Sequence, residues 1–568
     1  MSTVGKVKKQ IATAIATAIT EAVAAGEINP PPPAAAGLLA LENIPVEVPN
    51  HPEHGDFASS QAMLMAKACR QPPSAIARAI ASHLHPEGTY IASVEVAGAG
   101  FLNFRLKKDW LWEALQAVLL EGPAYGRSGS GQKKRVLLEF VSANPVGPMT
   151  VVQARAGAIG DSLANIMQAA GYTVEREYYI NDAGAQVNAF ARSVEARFRE
   201  LAGERVTFPE DGYQGEYVVD LAAEFMAREG NTLRALEPEE RIRYFETAAI
   251  TEMVRRQREE LERYRVHFDH WVSERHLRSS GALEETMAIL RSRKRLYENE
   301  GATWLATTDL GDDKDRVVVK SDGTYTYFLP DIAYHRDKFN RGFDILIDIL
   351  GPDHHGYVGR LKAAMAALGF QPERLEIIIH GLVRLFRAGE LVRHSKRHGD
   401  IVTLDELVEE VGVDAARFFF VMRAPDQPLD FDLTLAASHS QDNPVYYVQY
   451  AHARICSILR QAEAEGTPWD ASTPVDFRVL TDPHELSLIR RLADLPDEVA
   501  TAAALRTPHM LARYVQDVAA LFHLFYDNCR VLTPEEPLRR GRLALSVATR
   551  TVIANVLALL GVEAPERM

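Results

Sequence analysis

Apolar and polar positions alternate along the chain with two periods. Near the N-terminus Val7, Ile11, Ile15 and Ile19 recur every fourth residue, which predicts an amphipathic helix over 1–25 ended by Gly26. Asn29 and the prolines at 30–33 predict a stiff extended connector. Between 46 and 106 the pattern predicts helices over 61–67 and 74–84 and a strand over 92–96, a compact α/β unit. A β-branched apolar run at 135–141 reads as a buried parallel strand. The segment 142–148, punctuated by Pro145, Gly147 and Pro148, predicts a turn. A helix then begins near Met149, with Ile159, Leu163, Ile166 and Met167 on one face and Gly171 as its stop. Strand, tight turn and helix form the first unit of a nucleotide-binding sheet, with the helix N-terminus toward the ligand.

Residues 178–182 read as the second strand, with a polar C-terminal edge where open α/β sheets place ligands. From about 186 to 296 the period is helical and the surface charged, which predicts a helical insertion that splits the sheet. Strand character resumes over 316–320, 324–331, 345–350 and 376–380. From 404 onward the chain reads as helical almost to its end, with strong periodicity over 446–459 and 515–526 and a separate bundle from about 436.

A length of 568 residues requires several domains. The formal charge of −14 excludes a protein that coats nucleic acid indiscriminately, but leaves room for a local basic face against one structured RNA. No uninterrupted apolar run spans a bilayer and the N-terminal period is not that of a signal peptide, so a cytoplasmic chain without membrane contact is expected. Cys69, Cys456 and Cys529 are too scattered for a disulfide framework or a CxxC metal site. His354 and His355 beside Asp353 invite a metal reading, but no further ligand cluster stands at metal-binding spacing. A strand-end loop that hydrogen-bonds a sugar or base is the better fit, and no structural metal is expected. The cationic loop 391–400 follows the last strand, a position from which its lysine and hydroxyl groups reach phosphates. GxxxxGK[ST], GxGxxG and GxSxG are all absent.

Several long motifs, in order, resemble bacterial-type arginyl-tRNA synthetases, class I enzymes. They are His54-Gly55-Asp56-Phe57-Ala58, Glu139-Phe140-Val141-Ser142-Ala143-Asn144-Pro145, the segment from Lys320 to Asp331, the segment from Asp442 to Arg454, and Phe525-Tyr526-Asp527-Asn528-Cys529-Arg530. The resemblance covers essentially the whole chain. It implies a Rossmann-type α/β catalytic domain over 126–435 with a helical insertion around 186–300. An N-terminal α/β added domain would occupy 1–125 and an all-α anticodon-binding bundle 436–568. It also implies ATP-dependent formation of arginyl-adenylate and transfer of arginine to tRNA(Arg), with Mg²⁺ carried by ATP, no tightly bound cofactor, and a monomeric enzyme.

By resemblance Glu139, Ser142, Asn144, Tyr327 and Asp331 bind L-arginine. Pro148, Val152, Gly351, Asp353, His354 and Lys396 bind ATP. Lys396, Ser395, Gln153 and Thr150 act in catalysis, and His54, Asp56, Phe57, Asn443, Tyr447 and Arg454 meet tRNA. One motif departs from the family. Thr150-Val151-Val152-Gln153 stands where the family has His-x-Gly-His, so Thr150, Val152 and Gln153 replace the signature residues and no imidazole is available there. The alternative reading is therefore a paralogue that binds tRNA or arginine without activating it.

Overall fold

The computed structural model describes residues 2–49, 51–392 and 402–568. The four-residue spacing at the N-terminus produces α1 (Thr3–Ala24), capped by Ser2, and its Val7, Ile15 and Ile19 are fully buried. β1 (Phe57–Ser59), α2 (Gln61–Cys69), α3 (Pro73–Ser82), β2 (Ile91–Ala97) and β3 (Phe101–Leu106) follow. The strands form an antiparallel sheet of order β1-β3-β2. α4 (Asp109–Glu121) leads out of this unit.

β4 (Arg135–Glu139), α5 (Val151–Ala169) and β5 (Thr173–Ile180) are the strand, helix and strand expected from the apolar pattern. α6 (Ala185–Leu201), α7 (Glu216–Arg234) and α8 (Pro238–Arg263) follow as a helical layer. The expectation of unbroken helix to 296 is corrected by β6 (His270–Ser273), which pairs parallel with β5 at the sheet edge. Four residues without alternation carry no period; only the pairing makes them a strand. After α9 (Glu274–Ser279) and α10 (Ala282–Ser292), strands β7 (Leu296–Asn299), β8 (Ala302–Leu305) and β9 (Arg316–Val319) make a small antiparallel sheet.

The strand expected over 324–331 is also corrected. Only Tyr325 makes a bridge, to Val319, and from Phe328 the chain is helix α11 (Phe328–Asn340). Phe328, Leu329, Ile332 and Ala333 are buried at helical spacing, and Pro330 sits in the first turn, where a missing N–H is tolerated. β10 (Ile345–Leu350), α12 (Val358–Ala367) and β11 (Leu375–Ile379) complete a five-stranded parallel sheet of order β11-β10-β4-β5-β6. The order reverses between β10 and β4, which is where such sheets open a crevice.

Beyond it lie β12 (Val383–Arg387), β13 (Glu390–Leu391), α13 (Leu404–Val411), α14 (Val413–Val421) and β14 (Leu429–Asp432). The expectation of continuous helix from 404 misses β14, which pairs parallel with β12. α15 (Leu433–Ala436), α16 (Pro444–Ala464), α17 (Pro483–Ala493), α18 (Leu495–Leu505), α19 (His509–Asn528) and α20 (Glu536–Leu559) form the rest of the chain. α20 is long and apolar enough to cross a membrane by length and composition, and its Leu543, Leu545, Val552 and Ile553 are buried in the bundle core.

One buried arginine locks several layers together. Arg417 is fully buried; its Nη2 donates to Asp161 Oδ2 at 2.6 Å, Nη1 to Tyr264 O and Arg265 O, and Nε to Leu560 O. One side chain thus joins α5, α14, the turn after α8 and the end of α20. Removing one partner of such a buried pair costs roughly 3–5 kcal/mol because the other charge is stranded. Asp161→Ala is therefore expected to lower the unfolding free energy of the unit containing α5 by about 3–5 kcal/mol, with Asp161→Asn intermediate, read from urea titrations followed by near-UV circular dichroism.

Candidate active site

The crevice at the strand reversal is a cleft of about 620 Å³. Its wall joins the segment after β4, the start of α5, the first turns of α11, and the loops after β10 and β11. Of the residues expected to bind small molecules, Glu139, Ser142, Asn144, Val152, Gln153, Tyr327, Asp331, Gly351, Asp353 and His354 all lie in this wall. Pro148 and Thr150 do not. Ser395 and Lys396 lie outside the described residues.

The turn after β4 is strained. Val141 and Ser142 have φ of 70° and 41°, a left-handed conformation that a β-branched residue rarely adopts. Its surroundings hold it there. Ser142 Oγ donates to Glu139 Oε1 at 2.8 Å and accepts from Tyr179 N at 3.1 Å. Tyr178 Oη accepts from Ala143 N at 3.0 Å. Gln257 Nε2 donates to Asn144 O and Gly147 O, Tyr217 Oη to Val146 O, and Glu260 Oε2 accepts from Met149 N at 3.2 Å. Burial, then the nearby Asp405, pushes the Glu260 carboxyl up to about 7. Tyr217, Gln257 and Glu260 belong to α7 and α8, so the inserted helices build the floor under the site. Sequence reading gave them no such role.

One end of the cleft is acidic. Lys338 Nζ is buried between Glu139 and Asp348, 2.7 Å from Asp348 Oδ1. Burial disfavours its charge, but Asp348 and Glu139 outweigh burial and hold the ammonium above its usual pKa. Asp348 also meets His335 Nε2 at 2.8 Å; burial raises its carboxyl, and Lys338 and His335 together bring it below the ordinary range. Glu139, His335 and Asp348 bring metal-capable atoms together, yet the ammonium already supplies the cation. Asp331 has no such partner. It accepts a hydrogen bond from Tyr357 Oη, and burial pushes its carboxyl up to about 6. Glu274 also lines this end and pairs with Arg278. Tyr327 caps α11 and is 70% exposed over the cleft. Sequence reading missed Lys338, His335, Asp348, Glu274 and Tyr357. A helical reading of 328–340 would have found two of them, because Asp331, His335 and Lys338 recur at one-face spacing.

At the other end, α5 begins with a closed cap. Thr150 Oγ1 accepts from Val152 N at 3.3 Å and hydrogen-bonds Gln153 Oε1, which also accepts from Thr150 N at 3.0 Å. Thr150 is thus spent on the helix and acts by fixing Gln153, whose Nε2 has no protein partner among the described residues. The Val152 side chain forms the adjoining wall. Gly351, Asp353 and His354 face it from the loop after β10, and Asp353 and His354 are exposed.

The residues expected to meet RNA divide. His54 is exposed, but Phe57 is 1% exposed in the core and offers no surface. Asp56 Oδ1 accepts from Arg490 Nη1 at 2.9 Å, which ties the N-terminal unit to α17. Asn443 is buried as the N-cap of α16, bonded to Val445 N and to Ala436 O and Ser438 O. These three are structural, a use that motif resemblance does not reveal. Tyr447 packs on His523 at 4.8 Å. Arg454 stacks over Tyr450 and Tyr526, and exposed His439 with half-buried Tyr446, Tyr450 and His523 continue an aromatic ladder with centroids 5.7–6.1 Å apart.

Comparison with known proteins identifies the domains and the family. Residues 114–426 match the model of the class I (R) tRNA synthetase catalytic domain, residues 448–568 the DALR anticodon binding domain, and residues 6–106 the arginyl tRNA synthetase N-terminal domain. An arginine–tRNA ligase of Symbiobacterium thermophilum is 49% identical over 568 residues, all of both chains. One of Heliobacterium modesticaldum is 49% identical over 574 residues, again covering both chains completely. The solved Thermus thermophilus arginyl-tRNA synthetase shares the fold with a TM-score of 0.74, 24% identity, and 99% and 100% of the two chains covered. With the catalytic-domain model, both flanking domain models and full-length relatives matched, the chain belongs to the class I arginyl-tRNA synthetase family.

Proposed function

We propose that the chain is an arginine–tRNA ligase that works as a cytoplasmic monomer, with modules at 1–125 and 436–568 docking tRNA(Arg) around a catalytic domain at 126–435. The observation that carries this is the cleft itself, which sets an acidic end with one uncommitted carboxylate, Asp331, against a nucleotide end at a helix N-terminus. A guanidinium wants a carboxylate and a flat apolar neighbour, and Asp331 and Tyr327 offer both. Glu139, held by Lys338 and Ser142, and Asn144 position the rest of the amino acid. Gly351, Asp353 and His354 take the nucleoside, and Val152 walls the base. Gln153 Nε2 donates to the phosphates, and Ser395 with Lys396 adds donors and positive charge. Mg²⁺ arrives on the triphosphate as a hydrated ion, a fit for one exposed carboxylate, Asp353, in place of a protein cage. The arginine carboxylate attacks the α-phosphorus and pyrophosphate leaves. A hydroxyl at the tRNA 3′ end then attacks the activated carbonyl and AMP leaves.

Arginine-dependent ATP–pyrophosphate exchange with tRNA(Arg) present is the direct test. Exchange is expected, and Gln153→Ala is expected to lower its rate on the order of 10²–10³-fold, the effect of losing one well-aimed donor. Wild-type exchange at background with tRNA binding intact would establish the non-activating paralogue instead. Asp331→Asn should reduce kcat/KM for arginine by about 30- to 4,000-fold, from roughly 2–5 kcal/mol of lost charge pairing. It should also narrow discrimination against citrulline. The pH dependence follows from the Asp331 carboxyl at about 6. Below that pH the group is neutral, so KM for arginine is expected to be flat above it and to rise as pH falls through it. The same shift weakens folding as pH rises from about 4, the unfolded value, toward 6.

A further inference from the structure

β11 ends at Ile379, and His380 follows in register, its N donating to Leu350 O at 2.9 Å. The ring is 3% exposed and lines the cleft beside Val152, Gly351 and Leu382. Its Nδ1 lies 3.2 Å from Gly381 O. A carbonyl oxygen only accepts, so Nδ1 carries the proton and Nε2 of the neutral ring presents a lone pair. Nε2 stands 4.0 Å from where a Cβ on Gly351 would be, and it has no protein partner among the described residues. Burial first, then Arg155 and His354, keeps the imidazole pKa below its usual value.

The ring is also fixed in place. Gly381 N donates to Pro425 O at 2.9 Å, and Gly381 O accepts from Arg155 Nη1 at 2.8 Å. A side chain at 381 would collide with the backbone of Gln427 and Pro428. Nε2 is thus a fixed acceptor that opens into the cleft, placed to take a hydrogen bond from a ligand that brings a donor. Ionised phosphate oxygens have no proton to give, whereas a nucleoside has several.

Resting on the nucleotide reading of this end of the cleft, we propose that His380 is a specificity-determining residue whose Nε2 accepts a hydrogen bond from the nucleoside of ATP, from a ribose hydroxyl or from the adenine amino group. The imidazole missing from the helix is not replaced in its phosphate role; a different one, just past the end of β11, reads the nucleoside.

The test measures equilibrium binding and exchange kcat/KM, with tRNA(Arg) present, for ATP, 2′-deoxy-ATP, 3′-deoxy-ATP and purine riboside triphosphate. The wild-type chain is expected to favour ATP over one of these by roughly 10–100-fold, and the analogue affected identifies the donor. In His380→Leu that preference should fall to within about threefold, while the affected analogue itself binds nearly as in wild type. His380→Gln, which returns an acceptor, should restore part of it. Equal wild-type affinity for all four nucleotides overturns the proposal without a folded variant. So does an unchanged preference in His380→Leu. Absent exchange with selective nucleotide binding retained would count against the ligase reading and not against this one.

Discussion

The structure depends on burying α5 from every side while its first turn stays at the cleft. The helix is made of small residues where it meets the sheet; a side chain at Gly160 would enter the Phe140 ring. Close approach of that kind leaves no room for water, so the fully buried guanidiniums of Arg155 on this helix and Arg417 against it must find acceptors inside the protein. Arg155 does so with the carbonyls of Gly381, Leu382, Ala424 and Gln427, and Arg417 with Asp161 and three carbonyls. Each arginine thereby fixes segments hundreds of residues apart. The start of α5, the end of β11 and the C-terminal bundle cannot shift independently.

Charge is distributed through the cleft with the same economy. Three acidic side chains face inward near β4 and β10, and the fold neutralises them selectively. Lys338 serves Glu139 and Asp348 together, while Asp331 is left with a tyrosine hydroxyl. A carboxylate that is half-buried, without a cationic partner and pushed up to about 6 is poised to take a cation, because the ligand itself supplies the missing partner. Pairing it internally would have made the fold more stable and the site useless.

The altered signature motif gains a physical explanation at the level of the helix end. A threonine and a glutamine three residues apart are a capping pair, and here they close on each other. The cap consumes the threonine hydroxyl and the glutamine carbonyl, and it leaves the glutamine amide nitrogen without a protein partner among the described residues. The motif has exchanged two possible cations for one neutral, oriented donor. Inserted helices α7 and α8 hold the preceding turn in a strained conformation, which explains why an insertion distant in sequence bears on the geometry of the site.

The sequence by itself determined most of the long helices, the central strands, the three-part organisation and ten of the residues that line the cleft. Periods of two and 3.6 survive wherever one face is buried, and the long motifs from Glu139 to Pro145 and from Lys320 to Asp331 need no tertiary context to be read. Tertiary structure alone decided the rest. β6 and β14 are strands only because a neighbour pairs with them. Asp331 lies on a helix and not on a strand because Phe328, Leu329 and Ile332 find a core at helical spacing. Phe57, Asp56 and Asn443 carry a motif's letters but are spent on packing, an interdomain tie and a cap. Lys338, Gln257 and His380 gained their roles from residues distant along the chain, and pairing between distant segments leaves no periodic trace in either one.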